Sequence, residues 1–337
     1  MQADESSTEL DAGGLEAGDL ELRLEQHRTE LTAYCYRMLG SAFEAEDAVQ
    51  DTLVRAWKAF DRFEGRSSLR SWLYRIATNV CLDTLNGRNR RARPMDLGPA
   101  SPASSTLPAP LPEVTWIEPI PDGRVTRATN DPADIAAERS SIRLAFVAAL
   151  QHLPPRQRAV LILCEVLRWK ATEAAELLDT TVASVNSSLQ RARATLEASD
   201  VTESDPARPM DAEQQALLAR YVDAFERYDM ESLTTLLHED ATQSMPPFAM
   251  WLQGREEIFS FWLTTGAACR GSRVIPTVAA NGSPAFGQYK PSGPNGELEP
   301  WALQVLGISD GRIVELAFFL DVERVFPLFG LPLQFAG

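Results

Sequence analysis

The sequence predicts a multidomain chain: two all-α domains, the second a helix-turn-helix, followed by an α+β cone. Three observations carry this. Apolar residues recur at helical spacing from 23 to 85 and again from 134 to 196. Proline-containing stretches at 94–131 and 200–210 interrupt the pattern. Beyond residue 274 the pattern alternates, with Asp310-Gly311 as a tight hairpin turn between two runs. At 337 residues, two or three domains are expected, and 45% apolar content allows real cores.

Residues 1–22 carry seven acids from Asp4 to Glu21, no cation and three glycines, and read as a disordered acidic tail. A helix follows over 23–40, with Leu24, Leu31, Tyr34, Cys35, Met38 and Leu39 as its stripe and Gly40 as its stop. Ser41 and Glu44 have capping-box spacing and open the next helix. Its buried stripe is read as Ala45, Ala48, Val49, Thr52, Leu53, Ala56, Trp57 and Phe60. Glu46, Asp47, Gln50, Asp51, Arg55 and Lys58 stand on the other side. From Ser67 or Ser68 a further helix turns Leu69, Trp72, Leu73, Ile76, Ala77, Val80 and Leu85 inward and leaves Arg70, Arg75, Thr78, Asn79 and Asp83 off that face. Residues 62–93 hold eight arginines against two acids, about +6, in a chain of net charge −15. Such local contrast suits a polyanion partner, whereas the acidic total excludes a general nucleic-acid coat.

Residues 94–131 form an acidic, proline-rich linker, with Trp116-Ile117-Glu118-Pro119 as an apolar island. The domain 132–199 is read as a helix over Asp134 to Leu150, one begun by Pro154-Pro155, and a helix-turn-helix of Thr172 to Leu178 and Val182 to Leu196. Val182, Val185, Leu189, Ala192 and Leu196 would be buried in the last helix. Asn186, Ser187, Ser188, Gln190, Arg191 and Arg193 would face outward or flank. After the linker at 200–210, residues 211–337 give helices over Glu213–Arg227, Met230–Leu237 and Gly254–Leu263. Strands follow over Val274–Ala280, Ala285–Tyr289, Trp301–Ile308 and Ile313–Leu320. Helices first and an antiparallel sheet after them point to an α+β cone enclosing an apolar pocket.

The run DAVQDTLVRAWKAFDRF followed by GRSSLRSWLYRIATNVCLD resembles the second conserved region of bacterial sigma factors of the extracytoplasmic-function group. LPPRQRAVLIL with the helical pair after it is similar to the fourth region of the same group. The resemblance implies a protein that binds core RNA polymerase and promoter DNA, and needs no cofactor, metal or membrane. It implies that Asp47, Gln50 and Asp51, with Arg55 beside them, grip a coiled coil of the polymerase. Two carboxylates and an amide on one face suit a basic helix. For the −10 element it implies a pocket for a flipped base lined by Phe63 and Asn79, with Arg66, Arg70 and Arg75 on phosphates. Trp72 either packs in the core or meets the freed strand. For the −35 element it implies a major-groove helix carrying Asn186, Ser187, Ser188, Gln190, Arg191 and Arg193. Many relatives carry arginines where Asn186 and Ser188 stand, so base preference does not transfer. Lys170 stands where a Ser often caps. The linker would thread the polymerase channels.

LLHEDATQSMPP, WLQGREEIFSFW and NGSPAFGQY resemble the SnoaL-like polyketide-cyclase group of the nuclear-transport-factor-like fold. The island at Trp116 is similar to a motif that docks on such a domain in relatives; a chance hydrophobic cluster is the other reading. His238, Asp240 and Asp321 are the candidate bases a cyclase would use, and none sits in a motif that assigns it chemistry. No catalytic residue is assigned, and His238 is read as ending a helix at the surface. The cone holds sixteen acids and eight cations, so it could pack against the basic hairpin and regulate it in cis. The expected function is thus a sigma factor with a fused regulatory cone that would take a small apolar ligand. The alternative is a SnoaL-like isomerase or cyclase with an appended DNA-binding portion. An operator-binding repressor would need neither the acidic linker nor the polymerase-facing acids. Four scattered cysteines, no bilayer-length apolar run and no leader point to the cytoplasm.

Overall fold

The structure is a computed structural model that describes residues 17–126, 132–198, 211–292 and 296–335. The first helical domain comprises α1 (Ala17–Glu25), α2 (Arg28–Leu39), α3 (Ala42–Ala59) and α4 (Leu69–Leu85). Part of the expected disordered tail is therefore helical: Leu20 of α1 is buried beside Leu24, and the apolar side of α3 is what it covers. Residues 1–16 lie outside the described residues. Gly40 ends α2 in the left-handed region, its N–H bonded to Tyr36 O, as a glycine after a helix does. Ser41 caps α3 by accepting from Glu44 N at 3.2 Å. The reciprocal half of the capping box is missing, because the Glu44 carboxylate pairs with Arg88 at 2.6 Å and Arg91 at 2.9 Å.

Two assignments of face change. Trp57 is 55% exposed. At 100° per residue it lies roughly 110° from the centre of the α3 stripe, so spacing of four from Leu53 placed it one step beyond the buried arc. Thr78 is buried, because Tyr34 reaches it with an O–O distance of 2.8 Å while its hydroxyl donates to Tyr74 O.

The second helical domain contains α6 (Pro132–Ile142), α7 (Leu144–Gln151), α8 (Pro155–Leu161), a π turn over Ile162–Val166, α9 (Ala171–Leu177) and α10 (Val182–Glu197). The single helix expected over 134–150 is broken at Arg143, which is extended. The carbonyls that would have carried the helix onward are taken by other domains. Arg37 Nε donates to Ser141 O at 3.2 Å and Asn281 Nδ2 to Ile142 O at 2.5 Å. In α10, Val185 and Ala192 are fully buried, but Val182 is 39% exposed at the helix start. Lys170 offers no side-chain cap to α9. Instead Glu173 accepts from the Lys170 N–H at 2.7 Å.

The cone is built from α11 (Ala212–Glu226), α12 (Met230–Thr235), β1 (Leu237–Ser244), β2 (Trp251–Gln253), α13 (Arg255–Leu263), β3 (Arg273–Pro276), β4 (Ala285–Pro291), β5 (Leu298–Ser309), β6 (Arg312–Phe319) and α14 (Val322–Leu328). The sheet runs β2-β1-β6-β5-β4-β3 and is mixed rather than antiparallel, because β1 pairs in parallel with β6. β1, β2 and α14 escape the sequence reading. The polar run His238-Glu239-Asp240 hides the alternation of β1, and β2 has three residues.

Sheet alternation gives the cone two apolar faces. Phe286, Ala302, Leu306, Leu316 and Phe318 join α11–α13 in the cone's own core. Tyr289, Leu303, Val305, Ala317 and Phe319 belong instead to one continuous core with both helical domains. The linker lies along these seams. Ser101 N donates to Trp251 O, Leu111 N to Pro247 O, Glu118 N to Gly40 O and Asp122 N to Ala279 O. Trp116, Ile117 and Ile120 are buried, and Asp122–Val125 forms the single turn α5. The Trp116 island is a docked segment, not a chance cluster.

Arg158 locks the two helical domains together. It is 2% exposed, and its guanidinium donates to Met38 O, Gln151 Oε1, Gln151 O and Leu153 O. Burial lowers its pKa to about 10. Asn281 does the equivalent for the cone. Its Nδ2 donates to Tyr36 Oη at 2.7 Å and to Ile142 O, while its Oδ1 accepts from Ile120 N at 3.0 Å. Asn281→Ala strands the buried Ile120 N–H and Ile142 carbonyl and removes the donor to Tyr36 Oη. It is expected to cost about 3 kcal/mol, read as a fall in the urea midpoint of the full chain.

Candidate functional site

The outer face of α3 is open. Asp47 and Gln50 are exposed, and Asp51 is 44% exposed in an ion pair with Arg55 Nη2 at 2.8 Å. Gln50 Oε1 accepts from Arg28 Nη2 at 3.3 Å. Trp57 stands beside Gln50 and Val54 in a shallow groove against α1. Sequence reasoning missed this apolar element, although the helical angle of Trp57 would have found it.

The residues expected at the −10 element are placed differently. Phe63 and Trp72 pack against each other with ring centroids 4.9 Å apart, and both touch Phe60. Trp72 is thus a half-buried cluster member. Arg66 is 85% exposed and pairs with Glu64. Arg70 turns inward: its Nε is 2.8 Å from Glu30 Oε2, and its guanidinium lies over the rings of Tyr74 and Trp169. Arg75 donates to Glu176 O at 2.8 Å, across the boundary between the helical domains. Asn79 is exposed, but it lines a crevice of about 470 Å³ shared with Thr180, Ser184, Val185 and Ser188.

Much of the arginine excess seen in the sequence is satisfied internally. Arg88 and Arg91 hold Glu44, Arg90 contacts His152 and Arg93 pairs with Asp96. On α10, Asn186 and Gln190 are exposed, Ser187 and Ser188 are half-buried, and Arg191 donates to both serines at 2.7 and 3.3 Å. Arg193 pairs with Glu165. Ser188 of α10 and Asn79 of α4 line one crevice, while Asn186, Gln190, Arg191 and Arg193 stay exposed.

The cone holds a cavity, partly open to solvent, lined by Phe225, Met230, Phe261, Trp262 and Phe318 among others. His238 lies in β1, its Nδ1 accepting from Asp240 N at 3.2 Å, rather than ending a helix. None of His238, Asp240 and Asp321 lines the cavity.

Residues 24–91 match Sigma-70 region 2, residues 143–196 match Sigma-70, region 4, and residues 218–316 match the SnoaL-like domain. The ECF RNA polymerase sigma factor SigG of Mycobacterium tuberculosis is 46% identical over 317 residues, spanning 94% of this chain and 84% of its own. This chain belongs to the ECF RNA polymerase sigma factors. ECF sigma factor SigJ of the same organism is 24% identical over 295 residues, 86% of this chain and 82% of SigJ. The crystal structure of SigJ shares the fold, with a TM-score of 0.57 at 21% identity over 95% of this chain and 100% of that one. The sigma factor is a transcription initiation protein with a fused SnoaL-like domain, not an enzyme. No helix among its described residues is long and apolar enough to cross a membrane.

The Glu30 site gives this sigma factor a defined acid dependence. Glu30 is 7% exposed, and burial pushes its carboxyl up. His27 and Arg70 more than offset this, so its pKa lies below the ordinary value. A depressed folded pKa stabilises the protein above the unfolded value, and that contribution is lost as pH falls through the folded one. Glu30→Gln should therefore unfold at lower urea than wild type at pH 7. The gap should close once the pH drops below the usual glutamate range near ~4.

Proposed function

We propose that the sigma factor docks on core RNA polymerase through Asp47, Gln50, Asp51 and Arg55 of α3. The exposed Trp57 extends that surface. It then reads and opens promoter DNA with α4 and α10: Phe63, Arg66, Arg70, Trp72, Arg75 and Asn79 serve the −10 element, and Asn186, Ser187, Ser188, Gln190, Arg191 and Arg193 the −35 element. It works in the cytoplasm, where its polymerase is. The cone regulates in cis by holding a closed state, and it takes a small apolar ligand.

The observation that carries this reading is an asymmetry. The α3 face is open to solvent while Asn79 of α4 and Ser188 of α10 line one shared crevice. Arg70 and Arg75 are held by Glu30, Trp169 and Glu176. In this state the chain can meet polymerase, but Arg70 and Arg75 are engaged within the protein rather than free for a phosphate backbone. Opening needs the second helical domain to leave the first, and the linker to leave the cone. The contact is suited to that. Trp169 packs on Tyr74 with ring centroids 5.1 Å apart, and its indole N–H has no hydrogen-bond partner, so Trp169 itself gives up no hydrogen bond when the domains part.

Transcription in vitro with purified core polymerase tests both halves. The triple variant Asp47→Ala, Gln50→Ala, Asp51→Ala should lose holoenzyme assembly at least tenfold on a gel-shift titration while keeping the wild-type melting curve. Unchanged assembly would refute the α3 assignment. Trp169→Ala should raise open-complex formation by the full chain about fivefold, the low end of ordinary coupling energies. Equal or lower open-complex yield would refute the closed state.

A further inference from the structure

The cone's cavity has a polar group that its own fold does not use. Gln243 is 2% exposed and lines the cavity from β1. Trp262 Nε1 meets Gln243 Oε1 at 2.8 Å. An indole N–H only donates, so this contact fixes which end of the amide is oxygen. Both amide hydrogens are then turned away from Trp262, and their nearest partner is Met245 Sδ at 4.0 Å, a weak acceptor. A buried amide without a good acceptor is costly, and native folds rarely leave one.

The other polar groups of the cavity are satisfied. Gln288 accepts from Gln304 Nε2 at 2.9 Å and donates to Ser272 Oγ at 3.1 Å. The Tyr228 hydroxyl donates to Trp262 O at 2.7 Å. Cys269 is kept neutral by burial. Among the described residues no carboxylate, imidazole, ammonium or guanidinium lines the cavity. Arg270 and Lys290 lie over the lining rings of Tyr228 and Trp301, so a charged ligand would lose its water and find no counter-ion in the lining itself.

We propose that the cone binds a neutral, largely apolar small molecule through one hydrogen-bond-accepting oxygen, a ketone or ester carbonyl, received by Gln243 Nε2. This deepens, and rests on, the reading of the cone as a ligand-taking regulator. The same two strands that line the cavity also seat the linker. On β6, Phe318 lines the cavity, as does Leu320 just past its end, while Ala317 and Phe319 stand on the opposite face with Ala92, Pro94 and Ile117. On β1, Gln243 faces the cavity, and its neighbour Ser244 lies on the linker side. An occupant that displaces either strand acts directly on the seat of the linker.

The probe is Prodan, a neutral naphthyl ketone whose emission reports hydrogen bonding at its carbonyl, titrated into the full chain. Anilinonaphthalene sulfonate serves as its anionic counterpart. Prodan should saturate at one per chain with emission shifted from water, and the sulfonate should not compete. Leu320→Trp, at a half-buried lining position, should abolish saturable binding. Gln243→Leu should weaken Prodan about fivefold, the worth of one neutral hydrogen bond, and remove the carbonyl signature from the emission. Gln243→Met, closer in length, repeats the test should the leucine variant melt early. If Leu320→Trp abolishes binding but both Gln243 variants match wild type in affinity and emission, carbonyl recognition is overturned and the cavity survives as an apolar site. If wild type takes up no Prodan, or Leu320→Trp binds it equally well, the ligand-taking cone itself is overturned.

Discussion

One buried asparagine ties the four parts of this sigma factor together. Asn281 sits in the left-handed region, which asparagine tolerates better than most residues. From there its side chain reaches α2 through Tyr36, the second helical domain through Ile142 O and the linker through Ile120 N. Its own N–H donates to Ile120 O. Each group is buried, so each would be orphaned if its part moved away. The same carbonyl capture that holds the cone breaks the helix at Arg143. Local structure here follows from domain docking, not the reverse.

Around that point the apolar surfaces are arranged so that no part is complete alone. The outward face of the cone sheet, with Leu303, Val305, Ala317 and Phe319, shares one core with both helical domains. Tyr36 donates to Glu118 O, and the Ser41 hydroxyl donates to the Glu118 carboxylate. Burial raises the Glu118 carboxyl above the ordinary range, as it does that of Asp122, which accepts from Gly282 N. The linker is thus read by its neighbours residue by residue, although it has almost no regular secondary structure. A segment with the composition of a free chain becomes a strap because two apolar seams run beside it.

The closed arrangement also explains a mismatch between charge and surface. Residues 62–93 are strongly basic in sequence, but a buried cation is held wherever an acid or carbonyl is near enough to replace its water. Glu30, Glu44 and Asp96 do this for Arg70, Arg88, Arg91 and Arg93. For Arg70, Arg88 and Arg91 the acid is distant in sequence, and no spacing rule points to it; only Arg93 and Asp96 are near neighbours. Net charge along the chain therefore overstates what this state presents to a polyanion.

The sequence by itself determined the helices of both DNA-directed domains, the cap at Ser41, the exposed acids of α3 and the family. These rest on spacing, and a stripe or a cap is a local property of the chain. Trp57 and Thr78 were misassigned at the edges of a stripe, where one helical step separates core from solvent. Only the tertiary structure decided that β1 pairs in parallel with β6, that the linker is docked, and that Asn79 of α4 and Ser188 of α10 share a crevice. Those features depend on contacts between residues 70 or more positions apart, such as Tyr36 with Glu118 and Arg75 with Glu176. A sequence pattern records which side of an element is apolar, and it holds no record of what will cover that side.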